Sequence, residues 1–257
     1  MTPRPLKEIG GLLLDVGGVL YQGDEALPGA AAALKRLKAS HLPFRLLTNT
    51  TRTTRAALAA RLADFGLDVT EDSIVTPASA AAAILDTDGA RAHLLVHPDL
   101  IPDCPPEAEA PNAVLIGDAG EHFTFERLNR AFGILIDGGR LYALGRNRFF
   151  RGKDGFELDA GPFVAALEYA AEVEATLIGK PSPDFFRAAA AAFGLPAEKV
   201  LMVGDDLEAD VAGARGAGLE ATLVCTGKYR KGDAMAAKKG GAHVAASFAE
   251  FVDELLG

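Results

Sequence analysis

Short apolar runs alternate with stretches of helical periodicity along most of the chain. Gly11–Leu14, Phe44–Leu47, Ala175–Gly179 and Val200–Gly204 are almost uninterruptedly hydrophobic. Each is followed at once by polar residues: Asp15 after the first, Thr48 and Asn49 after the second, Lys180 after the third, Asp205 and Asp206 after the fourth. Runs this short and apolar, with helix-like segments between them, predict buried parallel strands. Pro28 precedes an amphipathic helix over Gly29–Lys38, and threonines precede a second over Arg55–Ala63 that Gly66 stops. Ser182-Pro183 opens a helix that ends near Phe193, before Gly194. A helix near Asp210–Ala217, a strand over Ala221–Val224 and a last helix over Phe248–Leu256 follow.

The middle of the chain has its own elements. Arg91–Val96, Ala113–Gly117 and Arg140–Leu144 predict strands, Phe125–Phe132 and Gly161–Ala171 predict helices, and Pro98–Pro111 is a proline-rich loop. The expected organisation is an α/β chain with an inserted domain: residues 1–79 and 174–257 form one domain, and 80–173 the insertion. In an open parallel sheet, ligands bind outside the carboxyl ends of the strands. The expectation is therefore that Asp15, Thr48, Lys180 and Asp205 gather at one sheet edge.

Composition narrows the partners. Hydrophobic residues make up 49% and charged residues 24% of 257, the balance of a globular protein with a packed core. A net charge of -9 argues against nucleic-acid backbones and anionic membranes, which demand a basic surface. No apolar run approaches the ~18 residues of a membrane helix, and Met-Thr-Pro-Arg-Pro is a poor start for a signal peptide. Cys104 and Cys225 read as free thiols, since disulfide scaffolds are short and cysteine-dense. The expectation is a soluble, cytoplasmic protein, with homodimer formation left open.

The residues at the run ends carry the chemistry. Asp15 is followed by Val-Gly17-Gly18, where the backbone can turn sharply and expose carbonyls. A carboxylate there could attack phosphorus. Thr48 and Asn49 suit both helix capping and hydrogen bonding to a phosphoryl oxygen. Lys180 would neutralise charge developing in a transition state. Asp205, Asp206 and Asp210 crowd one segment and repel one another unless a cation or hydrogen bonds compensate, although Asp206 also suits a helix cap. Mg2+ takes oxygen ligands, often a few carboxylates with a substrate phosphate. The five histidines are scattered, without metal-ligand spacing. Lys228, Arg230, Lys231, Lys238 and Lys239 read as a solvated surface, whereas Arg146, Arg148, Arg151 and Lys153 in the insertion are candidates for an anionic ligand.

In this order, Asp15-Val-Gly17-Gly18, Thr48-Asn49, Lys180 and Gly204-Asp205-Asp206-Leu-Glu-Ala-Asp210 resemble the haloacid dehalogenase (HAD) superfamily of phosphatases. The insertion between Thr48 and Lys180 resembles its type IIA, large-cap branch. The resemblance implies a Rossmann-like parallel-sheet core with an inserted α/β cap, and hydrolysis of a small phosphorylated substrate through an aspartyl-phosphate. It implies Asp15 as nucleophile and Mg2+ ligand, with the Gly17 carbonyl and Asp205 as further ligands. Thr48, Asn49 and Lys180 would hold the phosphoryl group, and Asp206 and Asp210 would support metal-bound water or Lys180. The superfamily usually carries an Asp two residues after the nucleophile, as general acid and base. Gly17 stands there instead. General acid–base catalysis is worth roughly 10²–10⁴-fold, so pyrophosphate, phosphoramidates and aryl phosphates, with easy leaving groups, would suffer least; the expected substrate is one of these or another phosphomonoester. The competing expectation is a weakly active or inactive relative that keeps the site for binding.

Overall fold

A computed structural model describes residues 4–151 and 155–257 of the chain. Lys153 and the side chain of Arg151 lie outside what it describes. The chain separates into two compact units. One consists of the residues up to Thr48, Arg55–Val75 and Lys180–Gly257; the other of Asn49–Thr54 and Thr76–Gly179.

The first unit is built on a six-stranded parallel sheet in the order His243–Ala245, Glu220–Val224, Val200–Gly204, Gly11–Leu14, Phe44–Leu47, Ile74–Val75. Gly11–Leu14 is buried throughout and pairs with Val200–Val203 on one side and Phe44–Leu46 on the other. Strands apolar on both faces require cover on both, which explains their continuous hydrophobicity. From Gly11–Leu14 the chain proceeds outward through Phe44–Leu47 to Ile74–Val75. It resumes at Val200–Gly204, on the opposite side, and proceeds outward the other way. The winding direction thus reverses between Gly11–Leu14 and Val200–Gly204, where such sheets open a crevice at the strand ends.

The helix Ala30–Ala39 buries Ala30, Ala33, Leu34 and Leu37, one face at spacings of three and four. It packs against the helix Phe248–Leu256, whose Phe248, Phe251 and Val252 are buried. Their approach is close at Gly29, where φ is +76° and a Cβ would come within 3.0 Å of the Ala249 Cβ. Leu12, Leu14, Leu46, Leu62 and Val203 complete this core.

The second unit has its own four-stranded parallel sheet, ordered Thr176–Leu177, Arg140–Ala143, Ala113–Ile116, Ala92–Leu95. The helices Phe125–Ile136 and Gly161–Ala171 supply Ala131, Leu135, Val164 and Leu167 to a separate core with Val114, Ile116 and Leu141. Phe149–Arg151 and Phe156–Leu158 form an antiparallel pair.

Two expectations need correction. The run Ala175–Gly179 does not add a strand to the sheet that carries Asp15. Thr176 and Leu177 pair with Tyr142 and Ala143 in the second unit's sheet. A two-residue ladder goes to whichever sheet offers an open edge, and local hydrophobicity does not name that sheet. The segment after Asp206 is also less regular than expected: a wide π-type turn over Leu207–Ala212 precedes a single helical turn, Gly213–Gly216. Cys104 and Cys225 are both free. No helix among the described residues is long and apolar enough to cross a membrane.

Candidate active site

Asp15 continues directly from the central strand, and its N–H still donates to Val203 O, 2.9 Å away, as the ladder ends. Asp205 follows the adjacent strand Val200–Gly204. The two carboxylates therefore emerge side by side at the winding reversal. Asp210 comes back to them from the π-type turn and packs on Gly204, where a Cβ would lie 2.3 Å from its carboxyl carbon. One carboxylate oxygen from each of Asp15, Asp205 and Asp210 lies within 4.8 Å of the others, and all three residues are buried.

Lys180 reaches this cluster from the start of the chain's return into the first unit, not from a core strand. Its Nζ donates to Asp15 Oδ1 at 2.5 Å, to Asp210 Oδ1 at 2.7 Å and to Leu47 O at 3.2 Å. The other oxygen of Asp210 accepts the Asp206 N–H at 3.1 Å. Both Asp210 oxygens are thus engaged within the protein. Among the described residues, the hydrogen bond to the Asp205 carboxylate is at Oδ2, which accepts the Lys228 N–H at 2.6 Å.

Three buried carboxylates face one ammonium, an excess of negative charge with little water to screen it. Burial pushes Asp15 above the usual carboxylate range, against the pull of Lys180. Burial also raises Asp205, and it raises Asp210 to about 6. Burial alone would lower Lys180, but Asp15 and Asp210 hold it above its ordinary value, so it is charged. A divalent cation with oxygen preference fits this donor set, because its charge would offset both the burial that raises the carboxyls and the smaller repulsion among them.

Asp206 acts differently. Its Oδ1 accepts the N–H groups of Glu208 and Ala209, each at 3.0 Å, so it caps the turn that carries Asp210. Burial works against its charge, but the Ala209 N–H and Lys228 hold it below the usual range. Thr48 ends the strand Phe44–Leu47, next to the carbonyl that Lys180 uses, and its N–H donates to Val75 O at 3.1 Å. Asn49 belongs to the second unit, where Gly179 leaves room for it: a Cβ there would meet Asn49 Oδ1 at 2.9 Å. Gly17 is exposed, and a Cβ there would meet nothing within 4 Å among the described residues. The left-handed residue of the turn is Gly18, with φ at +83°.

The loop after Glu220–Val224, whose Thr226-Gly-Lys-Tyr-Arg also resembles the family, is a participant to which the sequence assigns no role. The Lys228 side chain is largely solvated, as its charge cluster suggests, yet its backbone holds Asp205. The available signal is Thr226-Gly227-Lys228 directly behind a buried strand, the same placement as Asp15 and Asp205. In the second unit, Arg146 is paired with Glu168 at 2.7 Å.

Two family models match this chain: haloacid dehalogenase-like hydrolase over residues 12–102, and HAD-hydrolase-like over residues 177–251. Phospholysine phosphohistidine inorganic pyrophosphate phosphatase of Xenopus laevis is 43% identical over 230 residues, covering 86% of this chain and 85% of its own length. The chain belongs to the haloacid dehalogenase-like hydrolases. Among solved structures of this family, 4-nitrophenylphosphatase of Thermotoga maritima superposes with a TM-score of 0.85 at 30% identity, covering 97% of this chain and 98% of its own. Glycerol phosphate phosphatase of Mycobacterium tuberculosis, in complex with magnesium, superposes with a TM-score of 0.84 at 25% identity, covering 97% and 78%. The likenesses place the chain among the type IIA HAD phosphatases, with a Rossmann-like core and a cap.

Proposed function

We propose that the protein is a Mg2+-dependent phosphohydrolase that acts through an aspartyl-phosphate on Asp15. The observation that carries this reading is the Asp15–Lys180–Asp210 chain with Asp205 beside it, at the winding reversal of a parallel sheet. Asp15 and Asp205, with the Gly17 carbonyl, are the ligands the site offers to Mg2+. When bound, the ion supplies charge that draws a phosphoryl group toward Asp15 and offsets its repulsion from the carboxylates.

An Asp15 carboxylate oxygen attacks phosphorus, and the bond from phosphorus to the leaving group breaks, releasing that group with its electron pair. Lys180, charged and held between Asp15 and Asp210, stabilises the equatorial oxygens as they gain charge. Thr48 and Asn49 are proposed to hydrogen-bond the same oxygens. Water then attacks the phosphorus of the aspartyl-phosphate, the bond to Asp15 breaks, and inorganic phosphate leaves. Asp210 acts on Lys180, and Asp206 holds the turn that presents Asp210.

Gly17 offers no proton to the leaving group, which selects for substrates that need none. Pyrophosphate and aryl phosphates meet that condition by leaving as stabilised anions, and a phosphoramidate meets it when its nitrogen already carries a proton from solvent, so that it leaves as the neutral amine. Support comes from the Xenopus laevis relative, named for phospholysine, phosphohistidine and pyrophosphate, and from the Thermotoga maritima neighbour, named for 4-nitrophenyl phosphate. The competing reading, a protein that binds phosphate with little turnover, rests on Gly17 alone. The test is turnover of 4-nitrophenyl phosphate and pyrophosphate with and without Mg2+. Turnover should require the ion and fall at least about a thousandfold in Asp15→Asn, as loss of a covalent nucleophile demands. Binding of phosphate without turnover would favour the competing reading.

A further inference from the structure

The loop Thr226-Gly227-Lys228 closes on the second carboxylate in an unusual way. Asp205 Oδ2 lies where side chains on two glycines would be. A Cβ on Gly18 would sit 2.1 Å from it, and a Cβ on Gly227 1.9 Å from it. Both glycines have left-handed backbone, with φ of +83° and +57°. Their Cα atoms approach each other as well, since a Cβ on Gly18 would be 3.0 Å from the Gly227 Cα. The Lys228 N–H closes the slot with its 2.6 Å bond to the same oxygen. The slot is tied shut by a side chain: Thr226 Oγ1 donates to Gly18 O at 2.5 Å.

These contacts join three separate pieces of chain. Gly18 belongs to the turn after the central strand, Asp205 to the end of the next, and Thr226–Lys228 to the loop after the third. A carboxylate with one oxygen committed in this way has its plane fixed, and only the other oxygen is left for a ligand. Outer partners that orient a ligating carboxylate typically change metal affinity 10–100-fold when removed.

We propose that Thr226 is a positioning residue for the Mg2+ site. Its hydroxyl clamps the Gly17–Gly18 turn to the Gly227 loop, so that the Asp205 carboxylate and the backbone of the turn are presented to the cation together. The inference rests on the reading of Asp15 and Asp205 as Mg2+ ligands. Thr226 touches neither substrate nor cation. It acts through Gly18 and, through the loop it anchors, on Asp205.

The experiment is Mg2+ titration by calorimetry of the full-length protein, with thermal melts of the metal-free forms alongside. Thr226→Val removes the hydroxyl and keeps the shape; Thr226→Ser keeps the hydroxyl. Thr226→Val should weaken Mg2+ binding about tenfold, and Thr226→Ser should stay within about twofold of wild type. Gly227→Ala, which puts a methyl group where Asp205 Oδ2 lies, should weaken binding at least as much as Thr226→Val. Equal Mg2+ affinity in wild type and a folded Thr226→Val protein would overturn the role of Thr226. So would a fall in melting temperature with Mg2+ affinity unchanged, the mark of a purely structural bond. Should Thr226→Val not fold, Mg2+ affinity in Gly227→Ala decides: weakened binding supports the slot and unchanged binding overturns it. Wild type that binds no Mg2+ would instead remove the reading of the acidic cluster itself.

Discussion

At Gly17 the backbone would accept a side chain. Its φ lies outside the left-handed region, which the turn assigns to Gly18, and among the described residues nothing lies within 4 Å of its Cβ position. The glycine pair visible in the sequence therefore divides its labour: Gly18 is required by the backbone and by Asp205, whereas Gly17 is not. Gly17→Asp should fold with a melting temperature near that of wild type and gain a proton donor near the leaving group. Turnover of alkyl phosphates should rise about tenfold or more relative to aryl phosphates, a conservative share of what general acid catalysis supplies. A folded variant with an unchanged alkyl-to-aryl ratio would mean that the proton comes from another group. Asp210 offers a second test at this scale. Burial raises it from 3.8 to about 6, so the folded protein holds this proton more tightly than the unfolded chain. Its contribution to stability is complete below about pH 3.8 and is lost as pH rises through about 6. Metal-free wild type should lose melting temperature between about pH 4 and pH 7 relative to Asp210→Asn, at roughly 2–4 °C per kcal/mol for a chain of this size. A parallel pH profile in the two proteins would remove Asp210 as the source. Saturating Mg2+ should raise the wild-type melting temperature most at the upper end of that range, where the uncompensated charge is greatest.

Elements show where local sequence is a reliable guide and where it fails. The strands Gly11–Leu14 and Phe44–Leu47 and the helices Gly161–Ala171 and Phe248–Leu256 have the bounds that hydrophobic pattern and capping residues predict. Each is decided by its own residues. Thr176–Leu177 is different, because its partner strand lies more than thirty residues earlier and nothing in the run Ala175–Gly179 specifies which sheet will take it. The short edge strands Ile74–Val75 and His243–Ala245 carry too few residues for any periodicity to register. The helix Pro77–Thr87 makes the opposite point. Thr76-Pro77-Ala78-Ser79 spells its start, a cap with Pro in the first turn, and is a better guide than the alanines Ala80–Ala83 that follow. Thr76 is fully buried, its Oγ1 accepts the Ser79 N–H at 3.1 Å, and its own N–H donates to Ser79 Oγ at 3.0 Å. Thr76→Val should destabilise the protein by about 1–2 kcal/mol in denaturant unfolding, and Thr76→Ser by clearly less. Equal losses in the two variants would show that the methyl group matters there and the cap does not.

At the scale of the molecule, the candidate chemistry is distributed unevenly between the two units. Asp15, Gly17, Thr48, Lys180, Asp205, Asp206 and Asp210 all belong to the first, together with Thr226 and Lys228. Only Asn49 of the proposed site residues belongs to the second, within the short segment Asn49–Thr54 that the chain passes through before it returns. The second unit's sheet and its helices Phe125–Ile136 and Gly161–Ala171 enclose a core of their own, so most of its sequence answers to packing there and not to the acidic cluster. Metal dependence and the covalent step should then be properties of the first unit, and any change confined to Thr76–Gly179 should leave them in place. Discrimination between one phosphate ester and another is expected of the second unit, because the groups proposed for the first address only the phosphoryl group. Exchange of Thr76–Gly179 for the matching segment of 4-nitrophenylphosphatase from Thermotoga maritima should shift the ratio of kcat/KM values across pyrophosphate, aryl and alkyl phosphates. The Mg2+ concentration for half-maximal rate should stay within about threefold, because every proposed ligand is retained. A folded chimera with an unaltered substrate ratio and an altered Mg2+ requirement would reverse the assignment of the two units.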